Sequence, residues 1–302
     1  MFNIFQDNFK EDPYWWDDAP PPKLTVDEIP KKVDVVIIGS GYAGLSCAIE
    51  LARAGTEVLV IDKVEIGSGA SSRAGGLTSG RAGVSKLINL EATVGDRRAN
   101  EILEEADQAY THLQDFIKFE NIACDFHHCG RFMGAHSRRA YDKIAFKMIE
   151  YNKGKHQDFE MVTQAEQSKI VNSDYYKGGM FNRNAGTIHP AKYHSELVRL
   201  SIEAGVKLLS NTLVKKIIST KSGKEVFTNN GNIKAESVMI GTGGYTDKLS
   251  PYHRKRIIPM SSTLIATEKI GRDRVNEILP LGCPVIDTKR IISYARRSPD
   301  GE

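Results

Sequence analysis

Residues 33–55 read VDVVIIGSGYAGLSCAIELARAG, and the fold is decided there. Val33 to Ile38 is a short, continuous apolar run that ends in glycine, the pattern of a strand buried on both faces of a parallel sheet. Tyr42 to Ala54 follows with helical spacing, and Gly55 stands where a helix C-terminus takes a left-handed residue. Between them Gly39, Gly41 and Gly44 form G-x-G-x-x-G. In such a strand, turn and helix the first glycine makes the tight turn, the second lets a pyrophosphate approach the backbone, and the third lets the helix pack closely on the strand. The helix start then offers unpaired N–H groups to a phosphate. A second buried run, Glu57 to Ile61, ends at Asp62, which follows Gly44 by 18 residues. That is close to the offset of about 20 for a carboxylate that accepts ribose hydroxyls. The acid would repel a ribose 2′-phosphate, which disfavours NADP and leaves FAD or NAD.

The next stretch, GSGASSRAGGLTSGRAG at residues 67–83, separates these two. Its glycines and small hydroxyl residues let a chain lie close against a large flat ligand, with N–H and O–H groups for ring edges and phosphates. An NAD-binding fold would proceed directly to its next helix, so FAD is the expected cofactor. The stretch carries no Cys or His, so no covalent flavin link from it is expected.

Further out, Asp96 to about Asn121 repeats apolar residues at three- and four-residue steps (Ile102, Leu103, Ala106, Tyr110, Leu113, Phe116, Ile117), which predicts one long amphipathic helix. A second helix is expected over Arg138 to Tyr151, and both read as parts of an inserted domain. Pro190 to Ala204 reads as helix, Val206 to Leu209 as strand, Val214–Ile218 with Val226–Thr228 as a hairpin turning at Lys221–Lys224, and Val238 to Ile240 as a returning buried strand. The first thirty residues, with Tyr14, Trp15, Trp16 and the Pro20–Pro22 run, read as an arm that docks onto the body. The expected architecture is α/β, a doubly wound Rossmann-type domain at 31–90 and 186–250 beside an α+β substrate domain at 91–185 and 251–302.

Composition bounds the class without naming it. In 302 residues, 40% hydrophobic and 26% charged side chains allow one large or two ordinary domains, and a net charge of +3 with interspersed signs gives no basis for a nucleic-acid or membrane partner. Cys47, Cys124, Cys129 and Cys283 are too irregularly spaced for a disulfide framework, and no signal peptide or apolar span is evident, so a cytoplasmic, reducing setting is expected. Cys124-Asp125-Phe126-His127-His128-Cys129 lacks a second ligand pair at a recognised distance and reads as a core or strand segment, with no metal expected. Arg254, Lys255 and Arg256 read as a solvated face.

Several of these motifs, together with others, resemble the D-amino-acid oxidase and glycine oxidase superfamily of FAD-dependent oxidoreductases. They are Gly39-Ser40-Gly41-Tyr42-Ala43-Gly44, Asp62, Gly69-Ala70-Ser71-Ser72-Arg73-Ala74-Gly75-Gly76, and Ala235 to Thr246. The aromatic arm and Gly186-Thr187-Ile188-His189-Pro190-Ala191-Lys192-Tyr193 are similar to gamma-glutamylputrescine oxidoreductase-like enzymes. The resemblance implies a cofactor set of Gly39, Ser40, Gly41, Ala43, Gly44, Asp62, Lys63, Ser71, Ser72, Arg73, Ala74, Gly75, Gly76, Val214, Thr242 and Gly243. Ser40 and Gly41 would meet the pyrophosphate, Asp62 the adenosine ribose, Ser71 to Gly76 the ribityl chain and isoalloxazine, Val214 the adenine through its backbone, and Thr242 and Gly243 the ADP portion. The family more often has Glu at the position of Asp62, and Arg-Asn-Gly-Gly where this chain has Arg73-Ala74-Gly75-Gly76, which puts a side-chain contact at Ala74 in doubt. Ser293 to Glu302 resembles a strand and turn that the family follows with a further flavin-contacting segment, so the chain is expected to be a fragment of a longer protein.

The expected activity is oxidation of a small amine or amino acid, with hydride transfer to flavin N5, imine hydrolysis, and oxygen or another molecule as electron acceptor. The cofactor carries that chemistry and the protein orients the substrate. His189, at a helix start beside Pro190, is a candidate for lining the flavin or moving a proton, or else a helix-entry residue. Arg73 is a candidate for stabilising negative charge on the reduced ring or binding a carboxylate, or else a salt bridge within its loop. The same fold oxidises hydroxy acids and alcohols, and a flavin-binding subunit without independent catalysis is a third possibility.

Overall fold

The computed structural model describes residues 9–24, 28–81, 90–151 and 158–302. In chain order the first elements are β1 (Lys32–Ile38), α1 (Tyr42–Arg53), β2 (Val58–Ile61), α2 (Ala70–Arg73), β3 (Leu77–Ser79) and α3 (Asp96–Phe119). Then come β4 (Arg131–Gly134), α4 (Arg138–Tyr151), β5 (Phe159–Val162), β6 (Gly179–Asn182), β7 (Ala185–Thr187), α5 (Pro190–Glu203) and β8 (Lys207–Leu209). The last are β9 (Val214–Thr220), β10 (Gly223–Thr228), β11 (Asn232–Ile240), α6 (Arg272–Ile278), β12 (Val285–Asp287) and β13 (Tyr294–Ala295). The chain forms two compact units, Met1–Gly75 with Pro190–Ala266 and Gly76–His189 with Thr267–Glu302.

The unit boundaries differ from those read in the sequence, where the first domain extended to residue 90 and resumed at 186. β3 pairs antiparallel with β7, Leu77 opposite Thr187 and Ser79 opposite Ala185, so the glycine-rich stretch is divided and its second half travels with the second unit. Ala82 and Gly83, the end of that stretch, lie outside the described residues. Residues 251–266 stay with the first unit.

The first unit is built on a six-stranded sheet of order β8-β2-β1-β11-β10-β9. β1 is parallel to both β2 and β11, and β2 to β8. A strand with such neighbours is buried on both faces, which is why Val36, Leu59 and Ile61 are fully enclosed and pack with Leu209, Val226 and Ile233. β9 and β10 form the expected hairpin, but Thr220 pairs with Gly223, so only Lys221 and Ser222 make the turn. β11 is longer than the sequence suggested and is buried at Ile233 and Ala235, while Ile240 at its carboxyl end is exposed. β2 follows β1 on one side and β11 flanks it on the other, so the strand order switches at β1, where open α/β sheets place their ligands. The arm belongs to this unit: residues 14–16 form one short 3-10 turn, from which Trp15 is buried.

The second unit carries a five-stranded sheet, β13-β12-β4-β6-β5, and the β3–β7 ribbon. Phe132, Val162, Phe181, Leu279 and Val285 form its core, and α4 packs Ile144 against Phe159 and Met180. α3 buries Leu103, Tyr110 and Ile117 from the stripe that its apolar spacing foretold, with Ala99 added one turn earlier and Ile102, Ala106, Leu113 and Phe116 half-buried. No helix among the described residues is long and apolar enough to cross a membrane.

Candidate cofactor site

A cleft of about 400 Å³ opens in the first unit at the carboxyl ends of β1, β2 and β11, where Ile38, Ile61 and Ile240 line it. Its floor is the turn from β1 into α1, which needs bare backbone. Gly39 has φ +105°, and a Cβ there would stand 2.7 Å from the Gly241 carbonyl oxygen. A Cβ on Gly44 would fall 2.1 Å from Gly39 O, and one on Gly41 would meet the Ser71 hydroxyl at 3.0 Å. Gly41 is the N-cap of α1, with the next N–H, that of Tyr42, donated to Ser71 Oγ at 3.2 Å.

Asp62 leaves the end of β2 and turns toward this floor. Its Oδ2 accepts from the Ser40 N–H (3.0 Å) and the Ser40 hydroxyl (2.7 Å), and Oδ1 accepts from Val64 N–H at 3.3 Å. On the other side of Ser40, its carbonyl accepts from His194 Nε2 at 2.7 Å, a contact reaching across 154 positions from α5. The His194 ring is 2% exposed, and burial pushes its pKa below the ordinary histidine value against the pull of the Ser40 carbonyl and Asp62, so it is neutral with the proton on Nε2.

Of the residues expected from the sequence, Gly39, Ser40, Gly41, Asp62, Lys63, Ser71, Arg73, Val214, Thr242 and Gly243 all line this one cleft. Ala43 and Gly44 lie within α1 behind it, where Gly44 serves close packing on Gly39. Ser72, 3% exposed, spends its hydroxyl on the Gly67 carbonyl, and Ala74 and Gly75 follow α2 without lining the cleft. Gly76 and His189 belong to the second unit. His189 is 1% exposed, with its backbone N–H on the Cys124 carbonyl (2.7 Å).

Among the cleft residues not read from the sequence as site residues, His194 and Tyr245 carry polar contacts within it. His194 gave no local signal, because its partner is distant in the chain. Tyr245 did give one, an aromatic ring in the Gly243-Gly244 turn after the last parallel strand. It is 48% exposed, accepts Arg73 Nη2 on its hydroxyl at 2.8 Å, and has Lys63 Nζ 5.6 Å from its ring centroid. Arg73 is thereby held by a phenol and the Gly69 carbonyl (3.3 Å) rather than by a carboxylate. The turn is tightened by Thr242 Oγ1 and Thr246 Oγ1, 2.7 Å apart.

The second unit has its own cavity of about 330 Å³, lined by Arg272, Arg296, Arg297, His127, Cys129 and others. Arg296 Nη1 donates to the carbonyls of Ile188 (2.8 Å) and Gly76 (3.2 Å), and burial pushes the Cys129 thiol pKa up. His127 bridges to Thr187 in this unit and Cys124 is buried; among the described residues no three metal-ligating side chains gather. Arg254, Lys255 and Arg256 are exposed, Arg256 lying over the Tyr252 ring.

The chain is 30% identical over 296 residues to the probable oxidoreductase OrdL of Rhizobium meliloti, covering 95% of this chain and 67% of that protein. It is 27% identical over 279 residues to gamma-glutamylputrescine oxidoreductase of Escherichia coli, covering 88% and 62%. The chain thus spans about two thirds of the length of these curated relatives. Among solved structures, glycine oxidase from Geobacillus kaustophilus matches with a TM-score of 0.64 at 22% identity, over 73% of this chain and 58% of that one. L-proline dehydrogenase from P. horikoshii matches with a TM-score of 0.64 at 24% identity, over 89% and 68%; both share the fold. The family model described as FAD dependent oxidoreductase matches residues 34–302, from the first turn of β1 through both units, and on that match the chain belongs to the DAO family of FAD-dependent oxidoreductases.

Proposed function

We propose that the chain oxidises a small amine or amino acid with FAD. The observation that carries the reading is the floor of the cleft: at Gly39 a side chain would collide with the Gly241 carbonyl oxygen, so bare backbone at Gly39 and Gly41 borders a cavity of cofactor-binding size beside an acid at the end of β2. A phosphate-bearing dinucleotide fits that donor set. Ser40 and Gly41 would hold the pyrophosphate, the remaining acceptor capacity of Asp62 the ribose, and Val214 the adenine through its backbone. Thr242 and Gly243 would cover the ADP portion, and Lys63 and Arg73, which line the same cleft, would bring two positive charges to it.

FAD, when bound, supplies at N5 an acceptor for the hydride on the carbon that carries the amine, leaving an imine that water hydrolyses. The protein's own part is to bind, orient and balance charge. Arg73, which donates to the Tyr245 hydroxyl and the Gly69 carbonyl, would offer its charge to an anion in the cleft. No strong protein base is required if the substrate amine enters neutral. The names of the relatives, gamma-glutamylputrescine oxidoreductase and glycine oxidase, support a C–N bond as the one oxidised.

The test is direct. Purified protein reconstituted with FAD should show flavin absorbance that bleaches anaerobically with at least one member of an amine and amino-acid panel and returns with an electron acceptor. Retained flavin that bleaches with hydroxy acids alone would reassign the substrate class, and failure to retain FAD would overturn the proposal.

A further inference from the structure

We infer that Trp15 and Trp16 are positioning residues that brace, from behind, the glycine-rich loop lining the cofactor cleft. The inference rests on the FAD reading above, since it assigns the arm a role in holding that site. Both tryptophans stand on one 3-10 turn, which the Trp16 N–H fastens to Pro13 O (2.9 Å) and the Ala19 N–H to Trp15 O (3.1 Å). From this turn each indole sends its single polar group to the loop. Trp15 Nε1–H donates to the Ala74 carbonyl at 2.9 Å, and Trp16 Nε1–H donates to Ser72 Oγ at 3.1 Å. Ser72 passes the bond on, donating to Gly67 O, with Gly69 O at 3.3 Å. The result is a relay, indole to hydroxyl to carbonyl, in which each bond polarises the next.

The loop needs such a brace. Residues 67–76 include Gly67, Gly69, Gly75 and Gly76, and α2 within them is a single turn. Glycine loses the most conformational freedom of any residue on ordering, so a loop of this composition does not hold one shape unaided. Its fixings alternate along the chain. Ser71 and Arg73 face the cleft, where Ser71 Oγ accepts from the Tyr42 N–H and Arg73 donates to the Tyr245 hydroxyl. Ser72 and Ala74 face the arm. Trp15 is 4% exposed, so its donor is shielded from water, and a Cβ on Gly67 would stand 3.4 Å from Pro21 Cβ of the same arm. The indoles are thus placed to keep the cleft-facing residues in register without touching what enters the cleft.

Trp15→Phe and Trp16→Phe retain most of the ring packing and delete the N–H donors, which makes them the test. Apoprotein of the wild type and each variant is titrated with FAD, following flavin fluorescence and the visible absorption band. Each substitution is expected to raise Kd roughly 5-fold, the worth of one hydrogen bond. The double variant is expected to blur the vibronic structure of the bound flavin band, a signature that general destabilisation does not produce in protein that far-UV circular dichroism shows to be folded. Ser72→Ala reaches the same relay from the loop side, so adding Trp16→Phe to it should cost nothing more, as for two members of one network. Wild-type Kd and an unchanged band in the folded tryptophan variants would overturn the inference with the FAD reading intact, as would independent effects of Trp16→Phe and Ser72→Ala. A wild-type protein that takes up no FAD would overturn the functional reading and this inference with it.

Discussion

Asp62 Oδ2 accepts twice from Ser40 and Oδ1 once from Val64, which leaves acceptor capacity on Oδ1 for a sugar hydroxyl. The same carboxylate therefore shapes the turn after β1 and, on the proposed FAD reading, would meet the ribose. Asp62→Asn keeps the shape but removes the charge and turns an amide toward a backbone donor. Flavin titration should show affinity lower by about 10- to 100-fold, the worth of hydrogen bonds to a charged group, and urea unfolding should show the apoprotein weakened by roughly 1–3 kcal/mol. Gly44 answers to sterics alone. Its missing Cβ would sit 2.1 Å from Gly39 O, a backbone atom that cannot swing aside, so Gly44→Ala should force α1 off β1 and lower stability by about 1–3 kcal/mol with loss of bound flavin. Gly69→Ala, where a Cβ meets nothing within 4 Å, is the control and should leave the unfolding midpoint unchanged within about 0.5 kcal/mol.

Helix α5 enters the cleft through His194, whose Nε2–H fixes the Ser40 carbonyl and hence the turn from β1 into α1. Its folded pKa lies below the unfolded value of 6.5, first because burial disfavours the charged ring. The unfolded chain then binds the proton more readily than the folded one, so stability rises with pH in this window. The contribution is whole above about pH 6.5 and is lost as pH falls through that value toward the folded pKa. Each proton so linked gives a slope of up to about 1.4 kcal/mol per pH unit. Urea unfolding at pH 5, 6, 7 and 8 should show this slope in the wild type and a shallower one in His194→Asn; equal slopes would remove His194 as its source. α1 and α5 are further joined by Tyr42, whose hydroxyl donates to Pro190 O at 3.0 Å and whose ring meets Tyr193 edge-on.

For the whole molecule, a ligand that binds only the folded chain stabilises it by mass action, by about 2.7 kcal/mol at 100 times its Kd. FAD should therefore raise Tm in a concentration-dependent way. Amide exchange should slow most where the cleft is built, around residues 38–44, 61–73 and 240–246. Protection concentrated in the second unit's five-stranded sheet instead would place the cofactor elsewhere.

The parallel core, the glycine turn and the acid were legible in residues 33–62 because they are local. A buried strand is a run of apolar residues, a bare-backbone turn is a set of glycines, and both occupy a few consecutive positions. The long helix α3 was legible for the same reason, its buried stripe being written at three- and four-residue steps. Most of the expected cofactor residues do converge on one cleft. What the sequence by itself determined, then, was the nucleotide fold, the cofactor class, and the glycine turn with the acid beside it. Only the tertiary structure decided that the glycine-rich stretch divides at Gly75, that His194 and Tyr245 complete the cleft, that His189 is enclosed, and that two tryptophans of the arm hold Ser72 and Ala74. Each of these depends on a partner between 56 and 172 positions away or on strand pairing across the chain. Pattern along a sequence records which face of an element is apolar; which distant group a polar atom finds is settled when the elements pack and every buried donor must meet an acceptor.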